Sequence, residues 1–298
     1  MQALDGHIHL FKKAYGDLFA NGHIRSAGEL ALFGELRRAH DIGRAFVIGY
    51  EGAGYAGNNG YILRLSQLHP WILPFAWLRA HPRGLEGRAR AARRRGFFGC
   101  SLYLDAADDG AWLASGAAAP FWEWVEHYRF PVSLNMSWRQ APALARALAS
   151  TPDCPVLVSH MGRPFLERGR LASAYIRGMS ALASIPGVRV KLSASYAFAR
   201  EGWRYPQRDL FPALDFLRRK FGARRLIFGS DFAPVLEHNT YRQALELVRS
   251  EYRGFSASEL ADIYRGNAER IILKTAVENE PTKKQGTVPS PRGDCPLR

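Results

Sequence analysis

Residues able to do acid–base or metal chemistry recur in this chain where apolar runs stop. Leu4-Asp5-Gly6-His7-Ile8-His9-Leu10 sets two imidazoles two residues apart. In a strand, residues two apart face the same side, so His7 and His9 would project together. Such a pair can ligate a divalent cation or hydrogen-bond an anionic substrate. His160 ends the run Pro155 to Ser159, Asp231 follows Leu226 to Gly229, and Asn135 closes Pro131 to Asn135. Three imidazoles and a carboxylate are costly to bury singly, so they need one another, a metal or a substrate.

The elements between them supply the geometry. Apolar runs alternate with helical segments from end to end. Strands are expected at Leu4–Leu10, Phe46–Tyr50, Trp71–Leu78, Phe97–Leu104, Pro131–Asn135, Pro155–Ser159, Val188–Leu192 and Leu226–Gly229. Several, such as Phe46-Val47-Ile48 and Val156-Leu157-Val158, are continuous apolar runs, as in strands buried on both faces. Eight strands, each followed by a helical segment and with no internal linker, predict an α/β chain folded as a single (β/α)8 TIM barrel. Chemistry in that fold sits at the C-terminal strand ends, where these polar residues lie. Ser256-Ala257-Ser258-Glu259 is a capping-box pattern opening a short C-terminal helical extension. The barrel is expected over residues 1–276. Residues 277–298, rich in Glu, Lys, Pro, Gly and Ser, read as a disordered tail.

Composition narrows the class. The 298 residues are 47% hydrophobic, enough for a large core, yet no apolar run reaches the roughly 18 residues of a membrane span. No signal-peptide pattern precedes Asp5, so a soluble, cytoplasmic protein is expected. Cys100, Cys154 and Cys295 are scattered and form no CxxC, which argues against a disulfide framework or structural zinc. The net charge of +14 invites a nucleic-acid reading. Its densest part, Arg88, Arg90, Arg93, Arg94 and Arg95, falls on one helical segment, and the rest is spread over other helices. That distribution reads as solvated helix faces, and no nucleic-acid partner is expected. A small-molecule substrate is, and a homo-oligomer is compatible with the composition.

The segments Asp5-Gly6-His7-Ile8-His9, Ser159-His160-Met161-Gly162-Arg163-Pro164, Val190-Lys191-Leu192-Ser193 and Phe228-Gly229-Ser230-Asp231, with Gly266-Asn267-Ala268, occur in this order. Together they resemble the signature segments of the amidohydrolase-related family, the lactonase and decarboxylase branch of the amidohydrolase superfamily. The resemblance spans roughly residues 3 to 275. It implies a divalent metal, usually zinc, on His7, His9 and Asp231, with His160 bonding the substrate or attacking water. Many metal-dependent members carry a further histidine at the end of strand five, where this chain has Asn135. Some lactonases of the family work without metal and keep the other four residues.

The reaction expected is hydrolysis of a small lactone or related carbonyl compound, with Asp231 as general base and His160 assisting. The alternative is metal-dependent, non-oxidative decarboxylation of a small unsaturated or aromatic acid. A metal-dependent nuclease and a catalytically dead barrel are further readings, disfavoured respectively by Asn135 and by retention of the polar set. Substrate contacts are expected from Asn135, Tyr103, Arg163 and Tyr196. Trp138, Arg139, Ser195, His23, His81 and His238 lie nearby on the same loops. His40, His69 and His127 fall at helix ends on the opposite side and read as structural or solvated.

Overall fold

In the computed structural model, residues 2–13, 15, 28–52, 54–105 and 107–277 are described. Eight strands form one parallel sheet in sequence order: β1 (Ala3–Ile8), β2 (Ile42–Ile48), β3 (Ile72–Trp77), β4 (Gly99–Tyr103), β5 (Val132–Asn135), β6 (Val156–Val158), β7 (Val188–Leu192) and β8 (Leu226–Phe228). Helices separate them, among them Gly28–Ala39, Asn58–Leu68, Leu85–Arg94, Ala119–His127, Ser173–Ala183 and Phe211–Phe221. This is the expected (β/α)8 barrel.

The sheet closes where β8 meets β1. Ile8 bridges Phe232 in parallel sense, Asp231 N donates to His7 O at 2.9 Å, and His9 N donates to Phe232 O. Close approach at this seam depends on Gly6, where a Cβ would stand 2.6 Å from Ile227 Cγ2 and 2.7 Å from Phe228 O. Gly229 has the same role from the other side, since a Cβ there would lie 2.8 Å from that of His7. The buried Asp5 carboxylate stitches the seam, accepting from His7 N (3.1 Å), Ser230 N (2.9 Å) and the Tyr241 hydroxyl (3.0 Å).

Alternation along the strands divides the core in two. Leu4, Phe46, Ile48, Phe75, Leu157 and Ile227 cluster with one another, as inward-facing barrel residues must. Their neighbours, such as Ala45, Val47, Ala76, Val156 and Val158, pack with helical Phe33, Ile62, Leu85 and Leu144 in the outer layer. Helix Asn267–Val277 adds Ala268 and Ile271 to the inner cluster, so the C-terminal extension plugs the end opposite the strand C-termini. Asn267 anchors it by donating from Nδ2 to Ala223 O (2.8 Å) and Leu226 O (2.6 Å).

Several boundaries differ from expectation. β1 ends at Ile8 instead of Leu10, because His9 N turns to Phe232 O. Helix Asn58–Leu68 opens inside the glycine-rich stretch 51–60. The helix that opens at Tyr241 is α-helical to Glu246 and widens over Leu247–Glu251. A small hairpin, Leu166–Glu167 with Arg170–Leu171, had no sequence signal. The capping box is present as read, with Glu259 N bonded to Ser256 Oγ (3.3 Å) and Ser256 N to Glu259 Oε2 (2.8 Å). Of the tail expected to be disordered over 277–298, Val277 instead closes the last helix, and the residues beyond it lie outside the described residues.

Candidate active site

The first strand brings its two histidines together as the spacing requires: His7 Nε2 and His9 Nε2 are 3.2 Å apart. Asp231, just past β8, faces both, with Oδ1 at 3.5 Å from His7 Nε2 and 3.6 Å from His9 Nε2. His160, just past β6, packs its ring 4.6 Å from that of His7. All four residues are buried. His160 and Asp231 hold positive φ angles of 55° and 62°, a backbone state costing roughly 1–3 kcal/mol for a side-chain-bearing residue and found preferentially at functional sites.

Each group is oriented by a neighbour. His9 Nδ1 lies 2.9 Å from Ile48 O. A carbonyl only accepts, so Nδ1 carries the proton and Nε2 presents its lone pair. His160 Nδ1 is 2.9 Å from Ser193 Oγ, which also accepts from His160 N at 3.2 Å. Tyr196 donates its hydroxyl to Asp231 Oδ2 at 2.6 Å. Asp231 Oδ1 is enclosed and has no hydrogen-bond partner among the described residues.

Electrostatics separate the acid from the bases. Burial by itself would raise the Asp231 carboxyl, but the His160 and His9 rings and the Tyr196 hydroxyl outweigh it and hold the group below the usual carboxylate range. Burial pulls His160 down to about 4, with His9, Lys191 and Arg163 adding to the fall and Asp231 opposing it. His7 falls well below its ordinary value through burial, then through Lys191 and the other two imidazoles. At neutral pH the site therefore holds an ionised carboxylate beside neutral His7 and His160.

This donor set fits a divalent cation. Ligand atoms of His7, His160 and Asp231 all lie within 4.8 Å of one another, and His9 Nε2 lies 3.2 Å from His7 Nε2 and 3.6 Å from Asp231 Oδ1. An enclosed carboxylate oxygen with no hydrogen bond, aimed at two imidazole nitrogens, is what such a cation would satisfy.

The candidate substrate contacts divide. Tyr196 is part of the centre through Asp231. Tyr103 pairs in register with Asn135 at the ends of β4 and β5, and its hydroxyl is enclosed without a partner among the described residues. Asn135 Oδ1 accepts from Arg163 Nη2 at 2.8 Å, so the oxygen that replaces the missing strand-five histidine is already engaged. Trp138 stacks near Phe165 beneath Arg139. Ser195 bonds Gln207. His238 is exposed and stacks on Tyr196, with ring centroids 5.0 Å apart. His81, also exposed, accepts from Arg83 N, and His23 lies outside the described residues. His40, His69 and His127 pack beside Tyr241, Trp71 and Tyr128, away from the centre.

Sequence reading missed the groups that hold these residues in place. Lys191 is fully buried, with Nζ 2.8 Å from Ser133 Oγ and 3.3 Å from His7 Nδ1. Its signal was a lysine flanked by Val190 and Leu192 in a buried strand. Glu29 is also buried; it accepts from Phe11 N and Tyr15 N, each at 2.5 Å, and so fixes the chain leaving β1. Phe11 in turn stacks on His9 at an interplanar angle of 9°. A glutamate in the first turn of an amphipathic helix carries no sign of such burial.

A parallel (β/α)8 barrel with a metal-capable His–His–Asp cluster at its strand ends defines an enzyme of the amidohydrolase superfamily type. Residues 4–272 match the family model described as Amidohydrolase, and the chain belongs to that family. Among curated proteins none matches this sequence. Among solved structures, the chain is similar to an amidohydrolase from Burkholderia multivorans with bound zinc, at 23% identity and a TM-score of 0.73, covering 92% of this chain and 99% of that one. It is also similar to a candidate 2-pyrone-4,6-dicarboxylic acid hydrolase from Pseudomonas putida, at 23% identity and a TM-score of 0.70, covering 92% and 98%. A 2,6-dihydroxybenzoate decarboxylase from Rhizobium shares 16% identity and a TM-score of 0.61, covering 92% and 99%. At these identities the likeness concerns the fold. No described helix is long and apolar enough to cross a membrane.

Proposed function

We propose that this protein hydrolyses a small lactone or closely related carbonyl compound, with Asp231 as general base. The observation carrying the reading is the Asp231 carboxylate itself: ionised, enclosed, bonded through Oδ2 to Tyr196 and unpartnered at Oδ1. The Asp231 carboxylate takes a proton from water as the water oxygen bonds to the substrate carbonyl carbon. The protonated carboxyl then returns that proton to the ring oxygen as the carbon–oxygen bond breaks, giving an open-chain hydroxy acid. His160, neutral and oriented by Ser193, hydrogen-bonds the water or the developing oxyanion. Arg163 keeps guanidinium N–H groups beyond the one given to Asn135, which suits an anionic substituent on the substrate. His7, His9 and Asp231 would hold a divalent cation, with zinc the preferred candidate, and its contribution when bound is Lewis-acid polarisation of the carbonyl.

The test combines elemental analysis of protein purified without chelator with a proton-release assay across a lactone panel, because ring opening liberates an acid. About one divalent ion per chain, lost from the His7→Ala/His9→Ala variant, supports the metal assignment. Absence of proton release from every lactone with the metal-loaded protein would overturn the hydrolytic reading.

A further inference from the structure

At the end of the barrel opposite the active site lies a second concave site, which none of the chemistry above uses. It is a cavity of about 200 Å³ between the start of β7, the segment before β6 and the plugging C-terminal helix. Its charged lining is Arg129, Arg189 and Lys274 against a single acid, Asp153. Gly187 and Ile271 complete the wall.

The cations are incompletely satisfied. Arg129 gives Nη1 to Asp153 O at 3.1 Å and has Nη2 4.0 Å from the Asp153 carboxylate. Arg189 gives Nη1 to Gly187 O at 3.0 Å, while its Nε is enclosed with no partner among the described residues. Lys274 has no carboxylate partner among those residues. Burial, then the neighbouring Arg270 and Arg225, hold the Arg189 guanidinium below its ordinary value. Both neighbours are otherwise engaged: Arg270 bonds Asp262 Oδ1 at 2.7 Å, and Arg225 bonds the Ile185 and Ala183 carbonyls. A walled cavity lined by three cationic side chains against one carboxylate carries two positive charges in excess and is complementary to an oxyanion.

We infer that this basal cavity binds a small oxyanion, such as a phosphate group, between Arg189, Lys274 and Arg129. The helix carrying Lys274 is the one that closes the barrel, and Thr275 Oγ1 bonds both Ile271 O and Arg129 O. Occupancy of the site would therefore tie the plug to the β-strands and raise thermal stability.

The experiment is titration of the full chain with inorganic phosphate, followed by calorimetry and thermal unfolding, against chloride at matched ionic strength. Saturable phosphate binding is expected, weakening about tenfold when Lys274→Gln removes one charged donor. Lys274 is exposed, so this variant should fold, and it is far from the active site, so activity should stay unchanged. Arg189→Lys keeps the charge but loses the forked guanidinium that can hold an oxyanion at two points, and should weaken phosphate binding with the fold retained. Phosphate acting no differently from chloride, or binding unaltered in both variants, would overturn the site. Loss of binding in a His7→Ala variant instead would place the anion at the active site and equally overturn it. These outcomes are independent of whether the enzyme opens lactones.

Discussion

Replacing Asp231 by asparagine removes a charge and a basic atom while preserving the side chain's shape. In the wild type, Oδ1 faces the His7 and His9 Nε2 atoms at 3.5 and 3.6 Å without a hydrogen bond. An asparagine placed there can keep its carbonyl oxygen toward the Tyr196 hydroxyl and donate from Nδ2 to the lone pair on His9 Nε2. The shape and the Tyr196 hydrogen bond are kept, so the native state should lose no more than about 1 kcal/mol, moving Tm by about 2–4 °C. Catalysis should suffer far more, because an amide cannot take the proton from water. Loss of a positioned general base costs about 10²- to 10⁴-fold in kcat, or about 3–5 kcal/mol of barrier. The assay is proton release from the best lactone substrate, giving kcat and KM separately, alongside circular-dichroism melts and metal analysis. A folded Asp231→Asn protein with kcat within a few-fold of wild type would refute the reasoning, since it leaves the enclosed Asp231 carboxylate without a task.

Three other perturbations test neighbouring links. Tyr196→Phe removes a hydroxyl that helps hold the Asp231 carboxyl low; the acidic limb of the kcat/KM–pH profile should move toward neutrality by about one unit, as expected for a hydrogen bond to a charged group. Asp5 is raised to about 6 by burial, against its hydrogen bonds from Ser230, His7 and Tyr241. A raised carboxyl binds its proton more tightly in the folded state, so its contribution is complete below about pH 4 and is lost as pH rises through about 6. The loss is about 3 kcal/mol, and Asp5→Asn should flatten the fall in urea-unfolding stability between pH 4 and 7; an unchanged slope would contradict the assignment. Gly6→Ala drives a methyl into Ile227 and Phe228 O; the β1–β8 seam should lose about 1–3 kcal/mol and bind metal more weakly, read by unfolding and elemental analysis.

The sequence carried much of the site because each functional group ends an apolar run. His7, His160 and Asp231 were legible that way, and the structure brings their ligand atoms within 4.8 Å of one another. The i, i+2 rule alone placed His9 beside His7, even though β1 ends before His9. Asn135 was legible as a departure, but its bond to Arg163 was not, because that contact joins the ends of two different strands. The roles of Lys191, quoted only as part of a signature segment, and of Glu29 escaped notice for another reason. Long-range partners satisfy both, and a single charged residue in a strand or a helix's first turn looks the same from sequence whether solvated or enclosed.

By itself the sequence determined the barrel and the identity of the chemical groups, because strand and helix periodicity and the residues at run ends are local properties. Only the tertiary structure decided how those groups are tuned. The closeness of β1 to β8, made possible at Gly6 and Gly229, sets Asp231 against the two histidines. Burial keeps His7 and His160 neutral while the same neighbours keep Asp231 ionised. The basal cavity likewise exists only once β7 and the last helix meet, since Arg189 and Lys274 lie far apart in sequence. Proximity and desolvation arise from which distant residues share a space, and that is fixed when the barrel closes.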